Sequence, residues 1–290
     1  MAFARSGERA SSETTDRRGA FVSWGVFDSG VGGLTVVHAL LERLPNTSLV
    51  YLGDTARVPY GIRSVETVRG YAREALRFFL DAAVDGLIVA CNTASAVALD
   101  IFEEAIDGPV IGVVVPGVHE ALSETATHRV GVIGTQATIR SQAYAQRIRE
   151  LSPRTHVVAA ACPLFVPLAE EGWIDGDVPR LVAARYLAPL REARVDTVIL
   201  GCTHYPLLAG VIGEEMGEGV TLVDSASAVA REAARRETDA RVAQVRTAPT
   251  PAPQHRFCVT DGGGSFANVA SLFLGERLTG LETVELHPHP

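Results

Sequence analysis

Two cysteines lie in matched surroundings, 111 positions apart. Cys91 and Cys202 each follow an apolar run that ends in a small residue, and each precedes short polar side chains. A thiolate at a helix N-terminus has a lowered pKa and can act as a base near neutral pH. An enzyme that inverts a stereocentre needs one base on each face of the carbon, and a pair of thiols on two similar halves is one way to supply both.

These residues also permit other interpretations. A single cysteine after a buried strand is most often a small apolar filler, and we interpret Cys162 and Cys258, which lack polar neighbours, as structural. His204 could hydrogen-bond the neighbouring thiol, protonate a substrate or cap a turn. A zinc site made of Cys91, Cys202 and His204 lacks the usual ligand spacing, so no metal site is predicted. A Cys-His hydrolase pair two residues apart in one turn has awkward geometry.

The composition excludes several classes of function. All 26 basic residues are arginine, so the chain has no lysine for a pyridoxal phosphate Schiff base or for a Walker A loop. We expect no cofactor. The net charge of -8 argues against nucleic acid as a partner. The first 20 residues do not resemble a signal peptide and no apolar run is long enough to span a membrane, so we expect a cytoplasmic protein with reduced thiols and no membrane partner.

Short β-rich runs alternate with helical patterns after residue 20, which predicts an α/β fold with parallel sheets. Residues 1–20 are predicted to be a disordered extension. The predicted strands are 21–27, 48–52, 86–90, 110–113, 129–133, 156–160, 197–200, 220–223 and 256–259. The predicted helices are 34–44, 65–83, 116–124, 136–151, 178–193 and 226–244, with one more after the last strand.

A faint internal repeat, weak in identity, is visible in the spacing of the chain. Asp28 is followed by Cys91 after 63 positions, and Thr135 is followed by Cys202 after 67. Two α/β halves of similar length would each deliver one thiol from the carboxyl end of a strand. Ligands of open α/β sheets bind at that edge, so we expect both thiols at a mouth between the halves.

Two loops could contribute to a binding site. The turn 28–33 presents backbone N–H groups at a helix N-terminus, which suits a carboxylate or phosphate, although a plain turn capped by Asp28 is the alternative. The loop 53–61 carries a Pro-Tyr-Gly turn that could bring backbone amides and Tyr60 to a ligand, or could be a rigid surface turn. Glu170 by its local pattern is a solvated charge.

Taken together, these segments resemble the glutamate racemases of the cofactor-independent, two-cysteine Asp/Glu racemase family. The similarity runs in order from about Gly25 to Leu274. The matching stretches are 27–33, 53–61, 90–94, 131–135, 162–172 and 200–206.

The resemblance implies a fold of two similar parallel-sheet α/β domains with the active site in the cleft between them. The first domain would comprise residues 21–114 and 225–290, and the second, 115–224, would be inserted into it. The implied activity is interconversion of L- and D-glutamate, which supplies D-glutamate for peptidoglycan. A homodimer is implied as well. A racemase for aspartate or a related acid is the alternative, and some family members bind DNA gyrase.

The resemblance also implies roles for individual residues. Cys91 would take the α-proton from D-glutamate, and Cys202 would take it from L-glutamate. Asp28 would assist Cys91, while His204 and Glu170 would assist Cys202. The residues implied to hold the substrate through hydroxyls, amides and backbone N–H groups are Asp28, Ser29, Tyr60, Gly61, Asn92, Thr93, Thr135, Thr203 and His204.

Overall fold

The strands of the computed structural model form two sheets in which every pairing is parallel. The structure describes residues 23–243, 252–262, 266–274 and 280–287, so the predicted extension 1–20 lies outside the described residues. The first sheet has the order β10-β9-β2-β1-β3-β4. Its strands are β1 (Ser23–Asp28), β2 (Ser48–Gly53), β3 (Gly86–Val89), β4 (Val110–Gly112), β9 (His255–Val259) and β10 (Leu281–Thr283).

The second sheet has the order β6-β5-β7-β8 and is built from a continuous part of the chain. Its strands are β5 (Arg129–Gly134), β6 (His156–Ala161), β7 (Thr197–Gly201) and β8 (Thr221–Asp224). The expectation of two parallel-sheet α/β units is confirmed. The first sheet takes strands from both ends of the chain, as an inserted second domain requires, and the domain boundaries at 114/115 and 224/225 stay a proposal.

Helices follow most strands and cover the faces of both sheets. They are α1 (Leu34–Arg43), α2 (Val65–Ala82), α3 (Asn92–Val97), α4 (Leu99–Glu103), α5 (Val114–Glu124), α6 (Gln136–Ser141), α7 (Ala143–Leu151), α8 (Phe165–Glu170), α9 (Asp177–Glu192), α10 (Ala209–Met216), α11 (Ser225–Ala243) and α12 (Phe266–Leu274). Short 3-10 helices occupy Thr55–Arg57, Tyr60–Ile62 and Tyr205–Leu208. Within the described residues, no helix combines the length and the apolar character needed to cross a membrane.

The cores lie on both faces of each sheet, which explains why the central strands are apolar throughout. Every residue of β3 and β7 is buried, because helices pack above and below a parallel sheet. Phe27 of β1 stacks edge-on with Phe79 of α2 at 6.4 Å between ring centroids. Full burial of a large apolar side chain contributes about 1.5–3 kcal/mol. These clusters hold the carboxyl ends of the strands in fixed positions.

The structure differs from the predicted elements in two ways. The predicted helix 136–151 is broken at Gln142, which has a φ of 58° and separates α6 from α7. A non-glycine residue in the left-handed region costs about 1–2 kcal/mol, so a local pattern does not predict a break there. The elements α3, α4, α8, α10 and β10 were not predicted, since they are short and their apolar periodicity is correspondingly brief.

Candidate active site

The residues whose side chains could take part in catalysis lie at the carboxyl ends of adjacent strands. Asp28 ends β1, and Cys91 follows β3, the neighbour of β1 in the first sheet. Thr135 follows β5, and Cys202 follows β7, the neighbour of β5 in the second sheet. The two halves therefore repeat one arrangement, in which the strand that leads to the cysteine pairs with the strand that opens the half.

Direct contacts bring these two edges together. Thr93 Oγ1, two residues after Cys91, lies 3.0 Å from Thr135 Oγ1. On the other side, Thr35 Oγ1 donates to the carbonyl oxygen of Thr203 at 3.2 Å. The halves thus meet beside both thiols, which lie near enough to each other for the charge of Cys202 to raise the pKa of Cys91. We call the region between them the cleft.

Cys91 is buried at the start of α3, where its sulfur caps the helix. Its Sγ accepts the N–H of Ala94 at 3.5 Å and lies 3.3 Å from Ser29 Oγ. Burial raises the pKa of Cys91 to about 12, and the negative charge of Asp28 adds to this, whereas the hydrogen bonds with Ser29 and Ala94 lower it. The lowered pKa expected from the helix N-terminus is therefore wrong for Cys91, and the free site holds it as a thiol.

Asp28 is fully buried beside this thiol. Its Oδ2 accepts the N–H of Gly30 at 2.9 Å. Burial raises the pKa of Asp28, and this outweighs the charge of His204 and the backbone N–H groups of the turn, which lower it. A Cβ on Gly33 would lie 2.4 Å from the Asp28 Cβ, so only glycine lets the turn fold so closely over this carboxyl group.

Cys202 has a different set of partners. Its Sγ lies 3.8 Å from His204 Nδ1, and His204 Nε2 lies 2.9 Å from Glu170 Oε1 at the end of α8. The His204 ring is buried and stands edge-on to Phe273 at 5.7 Å. Cys202 leads into a 3-10 helix rather than an α-helix. The three side chains form a relay of hydrogen bonds from sulfur to carboxylate.

The relay sets the protonation state of His204. Burial lowers the pKa of His204, but the hydrogen bonds to Cys202 and Glu170, together with their charges, outweigh it and raise the pKa to about 10. His204 therefore carries an imidazolium at neutral pH and can donate a proton toward the Cys202 sulfur. The two thiols are thus placed in unlike surroundings, one beside an acid and a hydroxyl, the other beside a cation.

A Glu170→Gln variant tests this relay. It removes the charge that raises the pKa of His204 and keeps an oxygen that can accept from Nε2, so the imidazolium should lose its proton at lower pH. We expect the alkaline limb of the kcat/KM profile to move down by roughly one pH unit. Glu171→Gln, at the exposed neighbour, is the matched control. Superimposable profiles for wild type and Glu170→Gln would contradict the relay.

Tyr60 and Gly61 approach the second half through their backbone. The Tyr60 hydroxyl is hydrogen-bonded to Asp54 and its ring is buried, so only its main chain remains available for a ligand. A Cβ on Gly61 would lie 2.6 Å from the Thr135 Cβ, which shows how closely this loop contacts the start of α6. The turn therefore lies directly against the second half, beside Thr135.

Asn92 and Thr93 face residues that the sequence alone did not single out. The hydroxyls of Thr93, Thr135 and Thr138 lie within 3.0–3.2 Å of one another, and the Tyr144 hydroxyl donates to Asn92 Oδ1. Thr138 stands three positions after the predicted Thr135, the spacing of one helical turn, which is the only signal for it in the sequence. Nothing in the local sequence marks Tyr144.

The described residues contain no group of three or more His, Cys, Asp or Glu side chains arranged to hold a metal ion. Apart from the thiols, Asp28 and the His204–Glu170 pair, the polar groups at this site are hydroxyls, amides and backbone N–H groups, which suit the carboxylates of a small ligand.

Comparison with known proteins gives consistent results. The family model described as Asp/Glu/Hydantoin racemase matches residues 33–233. The glutamate racemase of Syntrophus aciditrophicus is 49% identical over 265 residues, which cover 90% of this chain and 96% of that protein. The glutamate racemase of Geobacter metallireducens is 49% identical over 262 residues, with coverage of 90% and 96%.

Solved structures agree with the sequence comparison. The crystal structure of glutamate racemase from Francisella tularensis in complex with D-glutamate superimposes with a TM-score of 0.84 at 38% identity. The match covers 92% of this chain and 98% of that one.

Proposed function

Since the chain belongs to the Asp/Glu/hydantoin racemase family and, within it, to the glutamate racemases, we propose that it interconverts L- and D-glutamate by direct proton transfer between two thiols and Cα, with no cofactor. One observation carries the mechanism: the two thiols come from equivalent strand ends of opposite halves, and each has its own acid or base partner. A racemase needs one such group on each face of the substrate carbon.

In the L-to-D direction, the Cα–H bond of L-glutamate breaks and its proton passes to the Cys202 sulfur. The electron pair stays on the substrate and spreads onto the α-carboxylate oxygens, where backbone N–H groups and the Asn92 amide stabilise it. Cys91 then donates its thiol proton to the opposite face. The enzyme is left with Cys202 as thiol and Cys91 as thiolate, and D-glutamate leaves.

The raised pKa of Cys91 supports this sequence of events. The free site holds Cys91 as a thiol at neutral pH, which is the protonation state needed to accept L-glutamate. The reverse direction needs the Cys91 proton removed first. Because each direction requires one group protonated and another deprotonated, a bell-shaped dependence of kcat/KM on pH is expected in both.

Deuterium exchange tests the proposal directly. L-glutamate and D-glutamate are incubated separately in D2O with chelator and reductant, and optical rotation and Cα deuterium are followed together. Loss of optical activity with deuterium in the product from both directions supports two-base racemisation without a cofactor. If neither enantiomer exchanges its Cα proton for deuterium, the two-thiol mechanism is contradicted. The same assay with L- and D-aspartate measures the selectivity against the nearest alternative substrate.

We propose further that the D-glutamate is made in the cytoplasm for peptidoglycan. The four free cysteines support a reducing compartment, where thiol catalysts persist. A bacterial strain that depends on added D-glutamate should grow without it when this chain is expressed, and should fail with the Cys202→Ser variant. A homodimer and gyrase binding follow from the resemblance alone, and the first is tested by light scattering in solution.

A further inference from the structure

A buried tyrosine outside the expected site residues ties the second half to Asn92. Tyr144 lies at the start of α7 and is 2% exposed. Its hydroxyl donates to Asn92 Oδ1 at 2.5 Å. Because Asn92 directly follows Cys91, this contact joins a helix of the second sheet to the turn that carries the first thiol.

The Tyr144 hydroxyl has a fixed role as donor. Burial raises the pKa of Tyr144, so the hydroxyl keeps its proton at physiological pH. The tyrosine ring is buried in the second-sheet core, which includes Val132, Ile148 and Ile199. This packing holds the tyrosine in place.

This contact decides which end of the Asn92 amide is left to bind a ligand. A side-chain amide has an acceptor oxygen at one end and an NH2 with two donors at the other. With Oδ1 bonded to Tyr144, Nδ2 points elsewhere, and it is buried without a hydrogen-bond partner among the described residues. A buried unpaired donor is costly, and a substrate carboxylate in the cleft would pair it.

We infer that Tyr144 is a positioning residue for glutamate, which acts through Asn92 by holding Nδ2 toward a substrate carboxylate. The inference rests on the proposed function, since it needs Asn92 to contact the substrate. Without the hydroxyl, the amide is free to rotate and present its oxygen, which repels a carboxylate. The second half thereby prepares a substrate contact that belongs to the first.

Tyr144→Phe removes the hydroxyl and keeps the buried ring. We expect KM for both enantiomers to rise about tenfold, while kcat changes by less than about threefold because the two sulfurs keep their partners. Tyr186→Phe is the matched control: its hydroxyl accepts the Leu164 N–H at 3.4 Å in another part of the second half, and its KM should equal that of wild type.

A double-mutant cycle separates positioning from mere support of the fold. Asn92→Ala should raise KM by itself, and adding Tyr144→Phe to it should change KM by less than about twofold, because the group through which the tyrosine acts is gone. Equal loss from Tyr144→Phe in both backgrounds would overturn the inference, as would a wild-type KM for Tyr144→Phe alone. A wild-type KM for Asn92→Ala would instead contradict the proposed substrate contact itself.

Discussion

Replacing Cys91 or Cys202 by serine is expected to lower kcat for racemisation at least about 1000-fold in both directions. A serine hydroxyl is similar in size to the thiol but is a far weaker acid, so it can neither hold the anionic form needed to remove the Cα proton nor exchange roles with the remaining thiol. The loss should be the same from L- and from D-glutamate, because the overall reaction needs both groups. Optical rotation of each enantiomer measures it.

Cys258→Ser is the matched control for this pair. Cys258 is also buried, but it lies in β9, three strands away from β3 in the first sheet, with its sulfur 3.8 Å from Glu282 Oε2. Its replacement should cost stability, by about 1–3 kcal/mol for a buried hydroxyl with imperfect hydrogen bonds, and should leave kcat near the wild-type value. Racemisation within tenfold of wild type in either cleft variant would contradict the two-thiol mechanism.

Gly32→Ala is expected to lower kcat/KM about 100-fold, because displacements near 1 Å at a reacting centre have effects of this size. A Cβ at this position would lie 2.3 Å from Thr203 Oγ1 and 2.5 Å from His204 Nδ1. The turn after β1 and the turn after β7 would have to separate, which moves His204 away from the Cys202 sulfur. The φ of Gly32 lies in the ordinary range, so its backbone conformation does not require glycine. Glycine is required at this position because the two halves leave no space for a Cβ.

Gly70→Ala provides the control for this substitution. Gly70 lies within α2 and a Cβ there would meet no atom within 4 Å. Alanine at that position should leave kcat/KM unchanged and stabilise the fold by about 0.5–1 kcal/mol. For Gly32→Ala, steady-state kinetics and a thermal melt together separate a displaced site from an unfolded protein. Wild-type kcat/KM in a folded Gly32→Ala protein would contradict the account of the contact between the turns.

The pattern of the sequence determined the parallel α/β framework. Buried parallel strands are nearly continuous apolar runs, and the predicted strand positions agree with nine of the ten observed strands to within two residues where they are described. The placement of Cys91 and Cys202 after such runs was enough to put both at carboxyl strand ends. These are local properties, so they can be found without knowledge of the fold.

The surroundings of the thiols were decided only by the tertiary structure. The sequence predicted a lowered pKa at a helix N-terminus, whereas burial and the charge of Asp28, 63 positions earlier, raise the pKa of Cys91 to about 12. Likewise, Glu170 is a solvated charge by its local pattern, yet its contact with His204, 34 positions later, helps raise the pKa of the imidazole. Desolvation and Coulomb interactions depend on distance in space.

The contacts between the halves likewise could not be predicted from the local sequence. Spacing along the chain predicted a mouth between two similar units, but it contained no information on which residues meet there. Tyr144 reaches Asn92 across 52 positions, and its helix starts at the left-handed Gln142 that the helical pattern did not predict. The sequence by itself determined which residue types stand at the strand ends. Only the tertiary structure decided their protonation and orientation, because both are set largely by neighbours distant in sequence.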